Sequence, residues 1–244
     1  MSDMQVLSSL RNGGLFNRNF NLTVEKPRKT LDEGDVSLQA LSPNKIDTRS
    51  VNTLTSGEGF PAPATGCDGK QGTASSERLM VMMGHPDPEQ CGDMVAKLLG
   101  EDIRSALALD MGCGTGLVGT EMMKRGLRQV IGIDASQGMI EKAKEKGTYS
   151  DFICQFLGRP KEFPKELCDR FDVVTAAAIL AENHLGCEVF DEMVMALKKG
   201  GYAVFTTRDM YLTKYGYHDY LSKMVADGIW EQVDAGTFKK YHNI

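Results

Sequence analysis

The run Asp110-Met-Gly112-Cys113-Gly114-Thr-Gly116-Leu-Val-Gly119 holds the residues best suited to ligand chemistry. Glycines let a backbone turn sharply and approach a ligand closely. A helix starting just after them presents unpaired N–H groups to whatever is bound. Gly114, Gly116 and Gly119 by themselves spell GxGxxG, which suits a nicotinamide dinucleotide. A turn that merely permits tight packing would use the same glycines. Asp110 separates the ligand readings. A carboxylate two residues before Gly112 repels a pyrophosphate and attracts a cation, such as the α-amino group of a methionine moiety. The order D-x-G-x-G-x-G therefore favours S-adenosylmethionine (AdoMet) over a dinucleotide. Asp134 ends the next apolar run and can accept hydrogen bonds from both ribose hydroxyls. That role suits either nucleoside, and an acid at a helix start is also favoured by the helix dipole.

The surrounding pattern must place these groups on one edge. Asp87 as N-cap, Pro88 at the first helical position and Gln90 as capping-box partner predict a helix, with Met94, Val95, Leu98 and Leu99 on its apolar face and Gly100 at its end. Apolar runs at 105–111, 129–134, 152–157, 171–177 and 202–207 predict five buried strands. Helices are predicted at 117–125, closed by Gly126, from Ser136 through Met139, Ile140 and Ala143 to Gly147, and around Val189, Phe190, Met193 and Leu197. Alternation of strand and helix predicts an α/β fold with a parallel sheet covered on both faces. Ligands of such sheets bind at the carboxyl ends of the strands.

Residues 42–76 contain 20 Ser, Thr, Asn, Gly or Pro among 35, too little apolar surface to offset the entropy of ordering. Residues 1–78 therefore read as a flexible N-terminal tail, and 79–244 as a single domain. The net charge of -5 argues against a nucleic-acid partner, which needs a basic face. No run approaches the ~20 apolar residues of a membrane span. The six cysteines lack metal-ligand spacing, and Cys113 and Cys154 lie in apolar runs as small hydrophobes. A reduced protein of the cytoplasm, or of the nucleus, follows, with no metal expected.

From about residue 80 to 235 the chain resembles the class I AdoMet-dependent methyltransferases. The likeness rests on residues 110–116, on Gly132-Ile-Asp134-Ala135-Ser136 with Met139, on Phe171-Asp-Val-Val, and on Leu197-Lys-Lys-Gly-Gly201-Tyr-Ala-Val-Phe. It implies a Rossmann-like sheet, AdoMet as cofactor, and a site made by Asp110, Gly112, Cys113, Gly114, Gly116, Asp134, Ala135, Met139, Phe156 and Leu157. It also implies methyl transfer to an acceptor, a small molecule or a protein, that the sequence leaves unidentified. The alternative is a non-catalytic AdoMet-binding or interaction protein retaining the fold, and a nicotinamide-dependent oxidoreductase comes third. The chain departs from the family in three ways. Phe156 stands where an acid commonly meets the adenine amino group. The segment that usually covers AdoMet is not recognisable in 42–78. The chain is short after the fifth strand: a helix to about Ala226 and a strand from Ile229 leave about ten residues, a tight fit for a turn and a full seventh strand. The expected outcome is an incomplete sheet with an apolar edge at 203–205, prone to self-association.

Candidate side chains for the acceptor are fewer. The fourth strand ends Thr175-Ala-Ala-Ala178 in place of the Pro-Pro-aromatic grip on a planar amine, which disfavours a base amino group or a glutamine amide as acceptor. His184 is a candidate base, although a plain loop histidine explains it better. Arg208, Tyr211, Tyr215 and Tyr217 follow the fifth strand and suit either an acceptor pocket or a solvated helix start.

Overall fold

The computed structural model describes residues 35–43, 84–181 and 184–239. Seven strands form one sheet: β1 (Asp35–Pro43), β2 (Leu107–Met111), β3 (Gln129–Asp134), β4 (Asp151–Cys154), β5 (Phe171–Leu180), β6 (Leu197–Arg208) and β7 (Trp230–Lys239). Their order across the sheet is β4-β3-β2-β5-β6-β1-β7. The helices are α1 (Asp87–Leu99), α2 (Leu117–Lys124), α3 (Gln137–Lys144), α4 (Glu188–Ala196), α5 (Asp209–Lys214) and α6 (Tyr217–Ala226).

Strands β2 to β6 run parallel, as alternation with helices requires. Their side chains divide with period two. Ala108, Val130, Val173 and Val204 join Cys91 and Val95 of α1 and Met122 of α2 on one face. Leu109, Ile131, Val174 and Phe205 join Phe190 and Met193 of α4 and Leu221 and Met224 of α6 on the other. The chain leaves β2 toward β3 on one side and reaches β5 on the other, so the crevice between β2 and β5 is the point where strand order reverses.

The N-terminal segment corrects the reading of a tail over 1–78. Residues 35–43 are a strand inside the sheet, antiparallel to both β6 and β7. Val36, Leu38 and Ala40 alternate with Ser37 and Gln39, and all three apolar residues are buried. The rest of that stretch lies outside the described residues. The predicted open edge is also corrected, because Gln39, Ala40 and Leu41 pair with Phe205, Val204 and Ala203. Residues 236–238 pair with β1, not with β6, so the seventh place in the sheet is filled from the N-terminal side. The ground for self-association through that edge is thereby lost.

Smaller differences have local causes. Asp87 does not cap α1: its carboxylate accepts from Thr206 Oγ1 at 2.7 Å, a buried pairing across the sheet. Ser136 does cap α3, accepting from the Met139 N–H at 3.4 Å. β4 stops at Cys154, and that residue is exposed at the sheet edge, not buried as a small hydrophobe. No helix among the described residues is long and apolar enough to cross a membrane.

Candidate cofactor site

The glycine loop joins β2 to α2. Gly112, Gly114 and Gly116 have φ of +67°, +51° and +86°, conformations that side chains rarely tolerate. At Gly112 an added Cβ would stand 2.5 Å from Ile179 Cγ2, so the loop passes directly beneath the end of β5. At Gly114 the same atom would meet only the Gly112 carbonyl oxygen, at 4.0 Å, leaving that side of the loop open to a ligand. Gly119 differs. A Cβ there would lie 2.3 Å from Tyr149 Cζ, and the Gly119 N–H donates to the Tyr149 hydroxyl at 3.1 Å. The third glycine of the GxGxxG spacing thus serves the packing of an aromatic ring from this chain, and its N–H is not offered to a pyrophosphate.

Two carboxylates flank the loop in different ways. Asp110 is 1% exposed. Its oxygens accept from Tyr149 Oη at 2.6 Å and from Thr175 Oγ1 at 2.7 Å. Burial pushes its carboxyl up to about 6; those two hydrogen bonds oppose the rise and the nearby Asp134 charge adds to it. Asp110 therefore ties β2 to β5 and to the segment before β4, and its charge acts on the loop from beneath. Asp134 ends β3 on the open side and is only half-buried. It accepts from the Gly114 N–H at 2.9 Å and the Ser136 N–H at 2.8 Å, which fixes its carboxylate beside the loop. Burial raises its carboxyl above the usual range, and those two N–H groups hold the rise down.

The remaining predicted residues fall around the same rim, with unequal parts. The Cys113 side chain is buried beneath Gly132, so this residue offers only backbone. Ala135 follows Asp134, and its carbonyl receives the Cys154 thiol at 3.7 Å. Met139 lies in the first turn of α3, half-buried. Phe156 is 39% exposed and Leu157 is half-buried, both in the segment after β4. Thr175 and Tyr149 were missed as members of this group. The Thr175 position could have been found from strand register, since it pairs with Asp110. Tyr149 gave no such signal, because a loop brings it across 39 residues.

The segment after β4 is held from outside the rim. Glu192 of α4 is 1% exposed, and its carboxylate accepts from the Gly158 and Arg159 N–H groups at 2.8 and 2.7 Å. Burial pushes its carboxyl up to about 7. At the end of β5, Ala178 adopts φ +60°, and its N–H donates to Thr206 Oγ1 at 3.0 Å. His184 is exposed on the loop that follows. Tyr217 is buried, and its hydroxyl donates to the Leu185 carbonyl at 2.6 Å, so it belongs to the core and not to an open pocket. Among the described residues no cluster of three His, Cys, Asp or Glu side chains is arranged to hold a metal ion.

Residues 108–201, which run from β2 into the start of β6, match the family described as a methyltransferase domain. The chain is 31% identical over 148 residues to the human methyltransferase-like protein 27, covering 59% of each. It is 28% identical over 121 residues to the ribosomal protein L11 methyltransferase of Hamiltonella defensa, covering 48% of this chain and 36% of that one. The chain thus spans less than two thirds of the length of either relative. A TehB-like SAM-dependent methyltransferase from Corynebacterium glutamicum is similar in structure, with a TM-score of 0.43 and 23% identity over 56% of this chain and 71% of that one.

Proposed function

We propose that the chain transfers a methyl group from AdoMet to an acceptor at the carboxyl edge of its sheet. The observation that carries the reading is the loop 112–116, open at Gly114 and flanked by two carboxylates, with the Gly119 N–H already engaged. That arrangement fits a cationic nucleoside and not a pyrophosphate. The backbone of Gly112 and Gly114 would hold the methionine end, with the Asp110 charge beneath it. Asp134 would take the ribose hydroxyls. Met139, Phe156 and Leu157 would flank the adenine by apolar contact.

When bound, AdoMet supplies a methyl group already activated by its sulfonium. The protein's task is to hold the acceptor in line, about 3–3.5 Å from the methyl carbon, and to keep water out. A base is needed only for an acceptor that must lose a proton. We place the reaction in the cytoplasm. The described cysteines are free thiols, and the acidic balance of the chain argues against a nucleic-acid partner.

Calorimetric titration with S-adenosylhomocysteine (SAH), AdoMet and NAD tests the cofactor reading. SAH and AdoMet should bind and NAD should not. Asp134→Ala should weaken SAH binding by roughly tenfold or more, as loss of a hydrogen bond to a charged group implies. Unchanged affinity would remove Asp134 from the site. Turnover of labelled AdoMet then separates an enzyme from a protein that only binds it.

A further inference from the structure

Among the described residues, the cation at the carboxyl end of β6 has no anionic partner. Arg208 closes that strand, half-buried, and its Nε is fully buried with no hydrogen-bond partner among the described residues. Two described acids close in the chain or on the neighbouring helix are engaged elsewhere. Asp209 accepts from Ser37 Oγ at 3.2 Å. Asp87 accepts from Thr206 and lies 3.1 Å from His85 Nδ1. The described contact of the Arg208 guanidinium is the ring of Tyr211, 5.7 Å from Cζ to the centroid. Burying a charged donor without an acceptor is destabilising. A guanidinium held over a ring keeps its N–H donors, and two of these together can grip a carboxylate or phosphate.

The place matters as much as the missing partner. Thr207 Oγ1 donates to the Leu180 carbonyl at 2.7 Å, and Thr206 Oγ1 receives the Ala178 N–H, so the ends of β5 and β6 are locked together. Between Ala178 and Leu180, Ile179 covers Gly112. Arg208 therefore stands one strand beyond β5 on the edge that carries the glycine loop. That is the side on which an acceptor would meet the methyl group.

We propose that Arg208 anchors an anionic group, a carboxylate or a phosphate, of the methyl acceptor. The assignment rests on the AdoMet reading above, because that reading makes this side of β5 the acceptor side. It gives the substrate class as a molecule, or an acidic protein segment, whose anion lies between the two terminal nitrogens of the guanidinium, because Nε is closed to solvent. The nucleophile is then a second group of the same molecule.

The test uses the full chain labelled with nitrogen-15 and saturated with SAH. The buried Arg208 Nε–H gives an arginine signal that disappears in Arg208→Lys. Benzoate should shift that signal, and benzamide, of the same shape but neutral, should not. Arg208→Lys keeps the charge but loses the fork, and should weaken benzoate binding about tenfold or more. Inorganic phosphate in place of benzoate distinguishes the two anions. No shift with benzoate or phosphate at millimolar concentration, or equal binding by wild type and Arg208→Lys, overturns the proposal. SAH titration of the same sample reports separately on the cofactor. Anion binding in a protein that does not bind SAH would overturn the assignment of Arg208 to an acceptor site.

Discussion

Strand β1 makes a strong claim, because composition alone makes residues 1–78 dispensable. Leu38 is 5% exposed and packs in the cluster that holds Val95 of α1 and Val204 of β6. Leu38→Ala removes three carbons from that packed layer. Leucine-to-alanine changes in cores cost about 2–5 kcal/mol. In a domain of this size each kcal/mol lowers the melting temperature by ~2–4 °C. The variant should therefore melt about 4–20 °C below wild type. Gln39 supplies the control. It lies on the same strand, is half-buried, and accepts from Gln232 Nε2 at 3.2 Å. Gln39→Ala loses one such bond and should cost about 1 kcal/mol or less. Circular dichroism melts of wild type and both variants decide the matter. A Leu38→Ala melt within ~2 °C of wild type, with unchanged slope, would refute the placement of β1 in the core.

Other predictions follow from the site. Burial pushes the carboxyls of Asp110 and Asp191 up to about 6 and that of Glu192 up to about 7, all above the ordinary range of about 4. The folded state thus holds more protons than the unfolded one between those limits, so the stability these groups contribute is fully present below about 4 and is lost as pH rises through 6–7. Melting temperature should fall between pH 5.5 and pH 8 by several degrees, and Glu192→Gln should flatten the profile; a rise over that range would contradict the shifts. Tyr149→Phe removes the hydroxyl that serves both Asp110 and the Gly119 N–H, and urea titration should show a loss of about 1–3 kcal/mol. Gly119→Ala drives a methyl into the Tyr149 ring and should cost about 1–3 kcal/mol, with Tyr149→Leu in the same chain recovering part of it; no recovery would mean that the ring is not what excludes a side chain there.

The sequence by itself determined the parallel half of the sheet, the glycine loop and the two acids beside it. Those features are local: apolar runs bounded by glycine and cap residues set β2, β3 and α3, and Asp110 and Asp134 follow from their places next to last in β2 and last in β3. The alternation of Val36, Leu38 and Ala40 is equally local, but three apolar residues beside a long polar stretch are too short a pattern to mark a strand. What covers an edge strand depends on free backbone groups elsewhere in the chain, and only the folded sheet brings β1 between β6 and β7, more than 160 residues away. The same reason separates the two acids. Side-chain type gives both a charge, but only tertiary packing turns Tyr149 and Thr175 onto Asp110 and leaves Asp134 facing the open side of the loop. Asp87 shows the limit of local rules most plainly. Its place before Pro88 is that of a helix cap, yet a threonine 119 residues on offers a buried hydroxyl, and the carboxylate turns to it.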